Sequence, residues 1–395
     1  PAPHVVMPAP VWTLSGFEST RRGGTSRAQA LLNGEPLWFE SDTHDLEPLP
    51  EAFAAGLVIP ALHAGATIRI EGEIDERWLE NVGRIADLYA SWWGLRAYTP
   101  LSASGLVVRP PVVSGARAQC FTGGVDSFYT LTQEPEHGTT HLFFAESYER
   151  ALASEAHEAA VHELLEDVAS TFDVGLLNLR SNLRSFPHLD GLQFGTHTQG
   201  GAIAAGGLLY SSAIDTLVIP SSYAYVYDTP WGTHWDLDPL WSLPGRIDFV
   251  HGDAPVRSAK VAAIVDHPAV QAHLRVCWMW DAPPGGNCSR CEKCVRTMMS
   301  LANSGDLSRF DRFDTSVPLA GRVRQLDEIS PSLYGIWADL GRGNSEAAVR
   351  RAVRGLLLRS RLRARTAPAR RGLGRLRFAL GLGAKARAIR RVLQR

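Results

Sequence analysis

The sequence predicts an α/β protein built on a doubly wound parallel sheet, with an N-terminal α+β domain in front and a four-cysteine metal-binding part behind. Three observations carry that prediction. From about Ala116 the apolar pattern alternates between strand and helix. A tight double-glycine turn, Cys120-Phe121-Thr122-Gly123-Gly124-Val125-Asp126-Ser127, follows the first strand of the run. Four of the five cysteines fall between Cys277 and Cys294. Such alternation implies parallel strands covered on both faces, with ligands at their carboxyl ends.

Residues 7–115 read as short strands, Val11 to Leu14, Ala28 to Leu32, Leu37 to Phe39 and Ala66 to Ile70, separated by Gly, Pro, Asp and Asn turns. One helix stands out from Asp75 to Trp93, where Trp78, Leu79, Val82, Ile85, Ala86, Leu88 and Tyr89 recur at helical spacing. Trp92 and Trp93 at its end are expected in a core or interface. Pro110 and Pro111 mark the exit to a second domain, residues 116–303. Its expected strands are Ala118 to Phe121, His141 to Ala145, Val174 to Leu179, Thr216 to Ile219 and Ile247 to Val250; its helices are Val125 to Thr132, Ser154 to Phe172 and Gly200 to Ser212. A helical extension, 304–349, and a basic amphipathic tail, 350–395, follow.

With 395 residues, 45% of them hydrophobic, the chain has material for about two folded units. No apolar run approaches the roughly 20 residues of a membrane span. The first residues lack the basic-then-apolar order of a signal peptide, and Pro1 to Val6, ahead of Met7, are set aside. The net charge of −1 conceals an asymmetry: no acidic residue follows Glu346, whereas 16 of the 40 Lys+Arg lie between Arg350 and Arg395. An acidic body thus carries a basic tail, suited to RNA, an anionic lipid surface or an acidic partner, or to packing back on the body itself. Clustered cysteines favour a metal and a reducing, cytoplasmic compartment over a disulfide framework.

The double-glycine turn is built to hold phosphate. Paired glycines let backbone approach an anion, and the hydroxyls of Thr122 and Ser127 and the amides of a helix N-terminus can point at it. Asp126 beside a polyphosphate is repulsive unless a cation such as Mg²⁺ bridges them, so nucleotide plus metal is the natural reading. Cys277, Cys288, Cys291 and Cys294 give C-x₁₀-C-x₂-C-x₂-C, and the Pro283-Pro284-Gly285-Gly286 turn can fold Cys277 back to complete four ligands. Four sulfurs with no open position describe structural zinc, and the C-x₂-C-x₂-C run leaves a 4Fe-4S cluster as the alternative.

Thr122-Gly123-Gly124-Val125-Asp126-Ser127 resembles the S-G-G-x-D-S loop of the PP-loop ATP pyrophosphatases, a branch of the adenine-nucleotide α-hydrolase-like (HUP) proteins, with Thr122 in place of serine. Together with the cysteine spacing it resembles the 7-cyano-7-deazaguanine synthase family over about Ala116 to Leu301. The N-terminal domain and basic tail lie outside that resemblance, which implies a divergent relative with a different acceptor. The resemblance implies cleavage of ATP to AMP and pyrophosphate, with Thr122 to Ser127 and Ala145 at the nucleotide and Asp126, Ser127 and Lys260 in catalysis. Lys260, one of only three lysines beside 37 arginines, is either the phosphate contact that the resemblance implies or a solvated helix lysine.

Residues Ser221 to Ser242 form a long aromatic-rich stretch after a sheet strand, which reads as a substrate cover or a packed structural loop. As a cover, Trp231 and Trp235 would be flat walls, and His234, Asp236 and Asp238 polar or acid–base groups. His197 either faces the nucleotide or caps a turn. Cys120 either carries persulfide sulfur or is a small buried residue.

The expected activity is an ATP-dependent ligase, amidating or nitrile-forming enzyme. It would activate a carboxylate or amide carbonyl of a small-molecule or peptide acceptor for a nitrogen nucleophile, in modified-nucleoside or specialised-metabolite biosynthesis. Its rivals are sulfur transfer through an adenylate and a non-catalytic nucleotide-binding module that docks a partner through the tail.

Overall fold

A computed structural model describes residues 9–133, 138–148 and 154–379; residues 1–8 and 380–395, including the tail residues Ile389, Val392 and Leu393, lie outside it. The chain divides into two compact units, Pro1–Asn287 with Phe310–Arg312, and Cys288–Arg309 with Phe313–Arg395.

The first unit is organised on one mixed, mostly parallel sheet. In chain order it contains β1 (Val11–Arg22), β2 (Thr25–Leu32), β3 (Glu35–Ser41), α1 (Pro50–Ala64), β4 (Thr67–Asp75), α2 (Glu76–Trp93) and β5 (Leu101–Val107). There follow β6 (Arg117–Cys120), α3 (Val125–Gln133), β7 (His141–Ala145), α4 (Glu155–Phe172), β8 (Gly175–Ser181), α5 (Gln199–Leu209), β9 (Thr216–Ile219), β10 (Asp248–His251), α6 (Arg257–Ile264) and α7 (Pro268–His273). The spatial strand order is β10-β9-β6-β7-β8-β3-β2-β1-β4-β5.

Strands β6 to β10 are mutually parallel along the β10-β9-β6-β7-β8 stretch. The chain builds outward from β6 through β7 to β8, then returns to the other side of β6 for β9 and β10. Strand order therefore reverses between β6 and β9, and the crevice beyond their carboxyl ends is where doubly wound sheets bind ligands. The double-glycine turn leaves β6 at that point.

Residues 7–115, expected as a domain of their own, share this sheet. Strand β3 pairs antiparallel with β8 through Phe39 opposite Ser181 and Glu40 opposite Arg180. One apolar core includes Leu14, Phe53, Ile68 and Trp78 together with Phe143, Leu177, Leu208 and Phe249. Helix α1 is absent from the sequence reading because its residues Ala52 to Leu62 are buried all round, which erases the one-sided pattern that marks an amphipathic helix. It packs on α5, whose small residues permit close approach: a Cβ on Gly201 would lie 2.5 Å from the Ala55 carbonyl oxygen. Helix α2 shows that pattern, burying Trp78, Val82, Ile85, Ala86 and Tyr89, with Asp75 capping its start and Gly94 its end.

A buried polar cluster lies at the β7–β8 edge. Glu146 accepts hydrogen bonds from Nε2 of His162 at 2.6 Å and from Nδ2 of Asn178 at 2.5 Å. Burial alone would raise the Glu146 pKa, but these two donors hold it below its ordinary 4.5, while the hydrogen bond to Glu146 lifts His162 above its ordinary 6.5. The carboxylate contribution is lost as pH falls through the depressed Glu146 value; the imidazolium contribution is lost as pH rises through the elevated His162 value. The pair is thus at full strength between pH 4.5 and 6.5. We expect His162→Ala to lower Tm most in that interval and least at pH 9, in scanning calorimetry against pH.

The second unit contains α8 (Glu292–Ser304), α9 (Leu319–Gln325), α10 (Tyr334–Gly343) and α11 (Ala347–Ala379). Val295, Met299, Val323, Trp337, Leu340, Val349, Val353 and Leu356 form its core. The start of the expected basic tail therefore belongs to a folded helix: Val353 and Leu356 face α9 and α10, and exposed arginines such as Arg351 and Arg354 face solvent.

Candidate functional site

Gly123 adopts φ +74°, the left-handed region that favours glycine, which turns the chain from β6 into α3. Arg275 N donates to the Gly123 carbonyl at 2.8 Å and fixes the outer side of the turn. Thr122, two residues beyond the end of β6, is exposed. Ser127, expected to face an anion, is instead buried. Its hydroxyl accepts from the amide of Gly124 at 3.1 Å and, more loosely, from that of Thr122 at 3.4 Å. It is a brace that shapes the turn. Val125 is buried beneath the helix start, and Ala145 ends β7 two residues beyond Phe143, whose carbonyl accepts from Phe121 N.

Asp126 is the centre of charge. Its Oδ1 lies 3.2 Å from Nζ of Lys260, and its Oδ2 lies 3.2 Å from Nη1 of Arg257. Lys260 is 2% exposed, and its ammonium also donates to the carbonyl of Ser221 at 2.5 Å. One lysine on α6 therefore ties the phosphate-type turn to the start of the Ser221 to Ser242 loop. Placing an ammonium out of water is unfavourable unless charge and hydrogen bonds replace its hydration, and Asp126 with Ser221 supplies both. Sequence reading found Lys260 and missed Arg257, although the i, i+3 spacing of Arg257 and Lys260 puts both on one helix face. Each carboxylate oxygen of Asp126 faces one cation, and the side chain is about one quarter exposed. Lys260 and Arg257 offset the charge of Asp126.

The Ser221 to Ser242 loop is packed, and its aromatic rings support one another. Trp231 lies 5.1 Å from Tyr223, Trp235 lies 5.0 Å from Tyr225, and Trp92 of α2 lies 4.9 Å from His234, centroid to centroid. His234 is buried and Asp236 N donates to its Nδ1 at 3.1 Å, whereas the Asp236 carboxylate is largely in solvent. Asp238 is fully buried. One of its oxygens accepts from His234 N at 3.1 Å and the other lies 2.6 Å from Nδ1 of His251. Burial pushes the Asp238 pKa up, against the pull of its hydrogen bond with His251. His251, at the end of β10, went unread in the sequence because nothing local distinguishes it. His197 packs against His63 and Trp93, at 5.0 and 4.7 Å, within an aromatic group.

Cys120 is driven well above the ordinary thiol range by burial, with the Asp238 carboxylate adding to the shift. At neutral pH it is a protonated thiol, the form least able to act as a nucleophile.

The sulfurs of Cys277, Cys288, Cys291 and Cys294 lie within 4.8 Å of one another, a group that could hold a metal ion. Cys288 and Cys294 are 3.8 Å apart. Backbone amides turn toward the sulfurs: Met279 N toward Cys277 at 3.5 Å, Cys291 N toward Cys288 at 3.3 Å and Cys294 N toward Cys291 at 3.4 Å. Ser289 at φ +54° makes the tight turn that lets this happen. Asn287, which sequence reading also missed, accepts from the amides of Val276 and Cys277 at 2.8 and 3.1 Å and donates to the Leu274 carbonyl. Such amide donors stabilise thiolate charge, as metal ligands require. Among the described residues no helix is long and apolar enough to cross a membrane. Comparison with family models, with curated proteins and with solved structures finds no match to this chain.

Proposed function

We propose that this chain is an ATP-dependent adenylating enzyme that cleaves ATP to AMP and pyrophosphate and activates a carboxylate or amide carbonyl for a nitrogen nucleophile. The observation that carries the reading is the convergence of Lys260 and Arg257 on Asp126 in a double-glycine turn at the switch point of a doubly wound sheet. Phosphates would lie against the Thr122 hydroxyl and the first-turn amides of α3, where helix dipole and amide donors favour anions. Lys260 and Arg257 place positive charge beside the pyrophosphate as it leaves, and the turn is held in shape beforehand, so little reorganisation is needed as charge develops. Mg²⁺ would enter as the chelate of the nucleotide. A substrate oxygen attacks the α-phosphorus, pyrophosphate departs, and the nitrogen nucleophile then displaces AMP.

The cysteine group is read as a structural zinc site. Zn–S bonds of about 2.3 Å place tetrahedral sulfurs about 3.8 Å apart, the separation found between Cys288 and Cys294. A 4Fe-4S cube, with each sulfur bound to a different iron, would spread them further. Zinc would brace the fold and take no part in the reaction.

The test is incubation with ATP and candidate acids labelled with ¹⁸O in the carboxylate, following label into AMP. Products limited to ADP and phosphate would end the reading. Against sulfur transfer, Cys120→Ser is expected to keep pyrophosphate release within about twofold, because the thiol is held protonated. Complete loss of turnover with unchanged Tm would favour thiolation.

A further inference from the structure

Resting on the adenylation reading, we infer that His251, oriented by Asp238, is the base that takes the proton from the nitrogen nucleophile. His251 ends β10 opposite Ile219 of β9, and Gln119 of β6 stands opposite Val218 of β9, so Cys120, Ile219 and His251 are level across three adjacent parallel strands. At strand spacings of about 4.8 Å, the His251 backbone lies roughly 10 Å from the strand that feeds the nucleotide turn. That places it along a substrate lying across the switch point.

With Asp238 ionised, its acceptor-only carboxylate at 2.6 Å places the proton of neutral His251 on Nδ1 and leaves Nε2 as a lone-pair acceptor. Nε2 is buried and has no hydrogen-bond partner among the described residues. An imidazole nitrogen taken from water without a partner is unfavourable by about 1–3 kcal/mol, which points to a ligand atom as its counterpart. Next to it runs a groove lined by Tyr225, Trp235, Pro239, Ser242 and Phe249. Trp235 stands 6.2 Å from the His251 ring and 5.0 Å from the half-exposed Tyr225, so aromatic side chains line the groove beside His251.

In the transfer step the nitrogen lone pair forms a C–N bond to the adenylated carbon, the bond to the AMP oxygen breaks with its electron pair leaving on AMP, and the N–H proton passes to Nε2 of His251. Asp238 offsets the charge of the resulting imidazolium; it is a positioning residue.

Two measurements on the full chain test this. Long-range ¹H–¹⁵N spectra at pH 7.5, assigned with His251→Gln, should show the Nδ1–H tautomer in the wild type and its loss in Asp238→Asn. With an acid that passes label to AMP, His251→Gln should keep pyrophosphate–ATP exchange and hydroxylamine trapping. Its ammonia-dependent amide formation should fall about 10²–10⁴-fold. An Nε2–H tautomer, or wild-type amide formation in His251→Gln, overturns the proposal. A wild-type chain without exchange sinks the adenylation reading, and this inference with it.

Discussion

Lys260→Ala is expected to reduce ATP-dependent pyrophosphate release by about 10²–10³-fold, the usual loss when one preorganised donor at a developing charge is removed. The lysine is nearly inaccessible and meets Asp126 and the Ser221 carbonyl together, so truncation also leaves a buried carbonyl and a carboxylate short of a partner. Breaking a buried pair usually destabilises by about 3–5 kcal/mol. Arg257 still faces Asp126, which is about one quarter exposed, so the effect here belongs at or below the low end of that range. Lys260→Arg keeps the charge but cannot place a compact ammonium between two acceptors, and should not restore turnover. Calorimetry and pyrophosphate release are to be read together. A lowered Tm with unchanged release, measured well below that Tm, would reduce Lys260 to a structural tie.

If the four cysteines hold zinc as proposed, its removal by chelation, or Cys294→Ser, is expected to unfold the segment around α8. Cys294 is fully buried, and Cys291 caps the helix through its sulfur. Structural zinc binding is worth about 10–16 kcal/mol in small peptides, comparable to the roughly 5–15 kcal/mol that stabilises a whole domain. Elemental analysis should find one zinc per chain and a colourless protein, and chelation should lower the melting temperature in scanning calorimetry. A brown chromophore with iron and sulfide would replace zinc by the cluster, and an unaltered melt after full metal removal would remove the bracing role.

Regions with strong local signals were legible. His141 to Ala145 and Thr216 to Ile219 are strands with the expected bounds, and the Val125, Ser154 and Gly200 helices fall within a few residues of expectation. Each pairs a short apolar run or a one-sided stripe with clear turn residues, which are properties of the chain itself. Strand β5 and helix α1 were not legible. The first has small residues and a glycine at its centre in place of the β-branched and aromatic residues that mark strands, and the second is buried on every side, which erases its helical periodicity.

What the sequence by itself determined is chemistry that lies close together along the chain: the double-glycine turn after a strand and the cysteine spacing, where a few residues fix both position and partners. Only the tertiary structure decided the rest. Tertiary packing brought Lys260 and Arg257 to Asp126 across more than 130 residues, joined β3 to β8 antiparallel in one sheet and set Asp238 against His251, while Ser127 turned inward as a brace. Such contacts depend on strand order and on which polar groups find partners once water is excluded, and no local pattern encodes either.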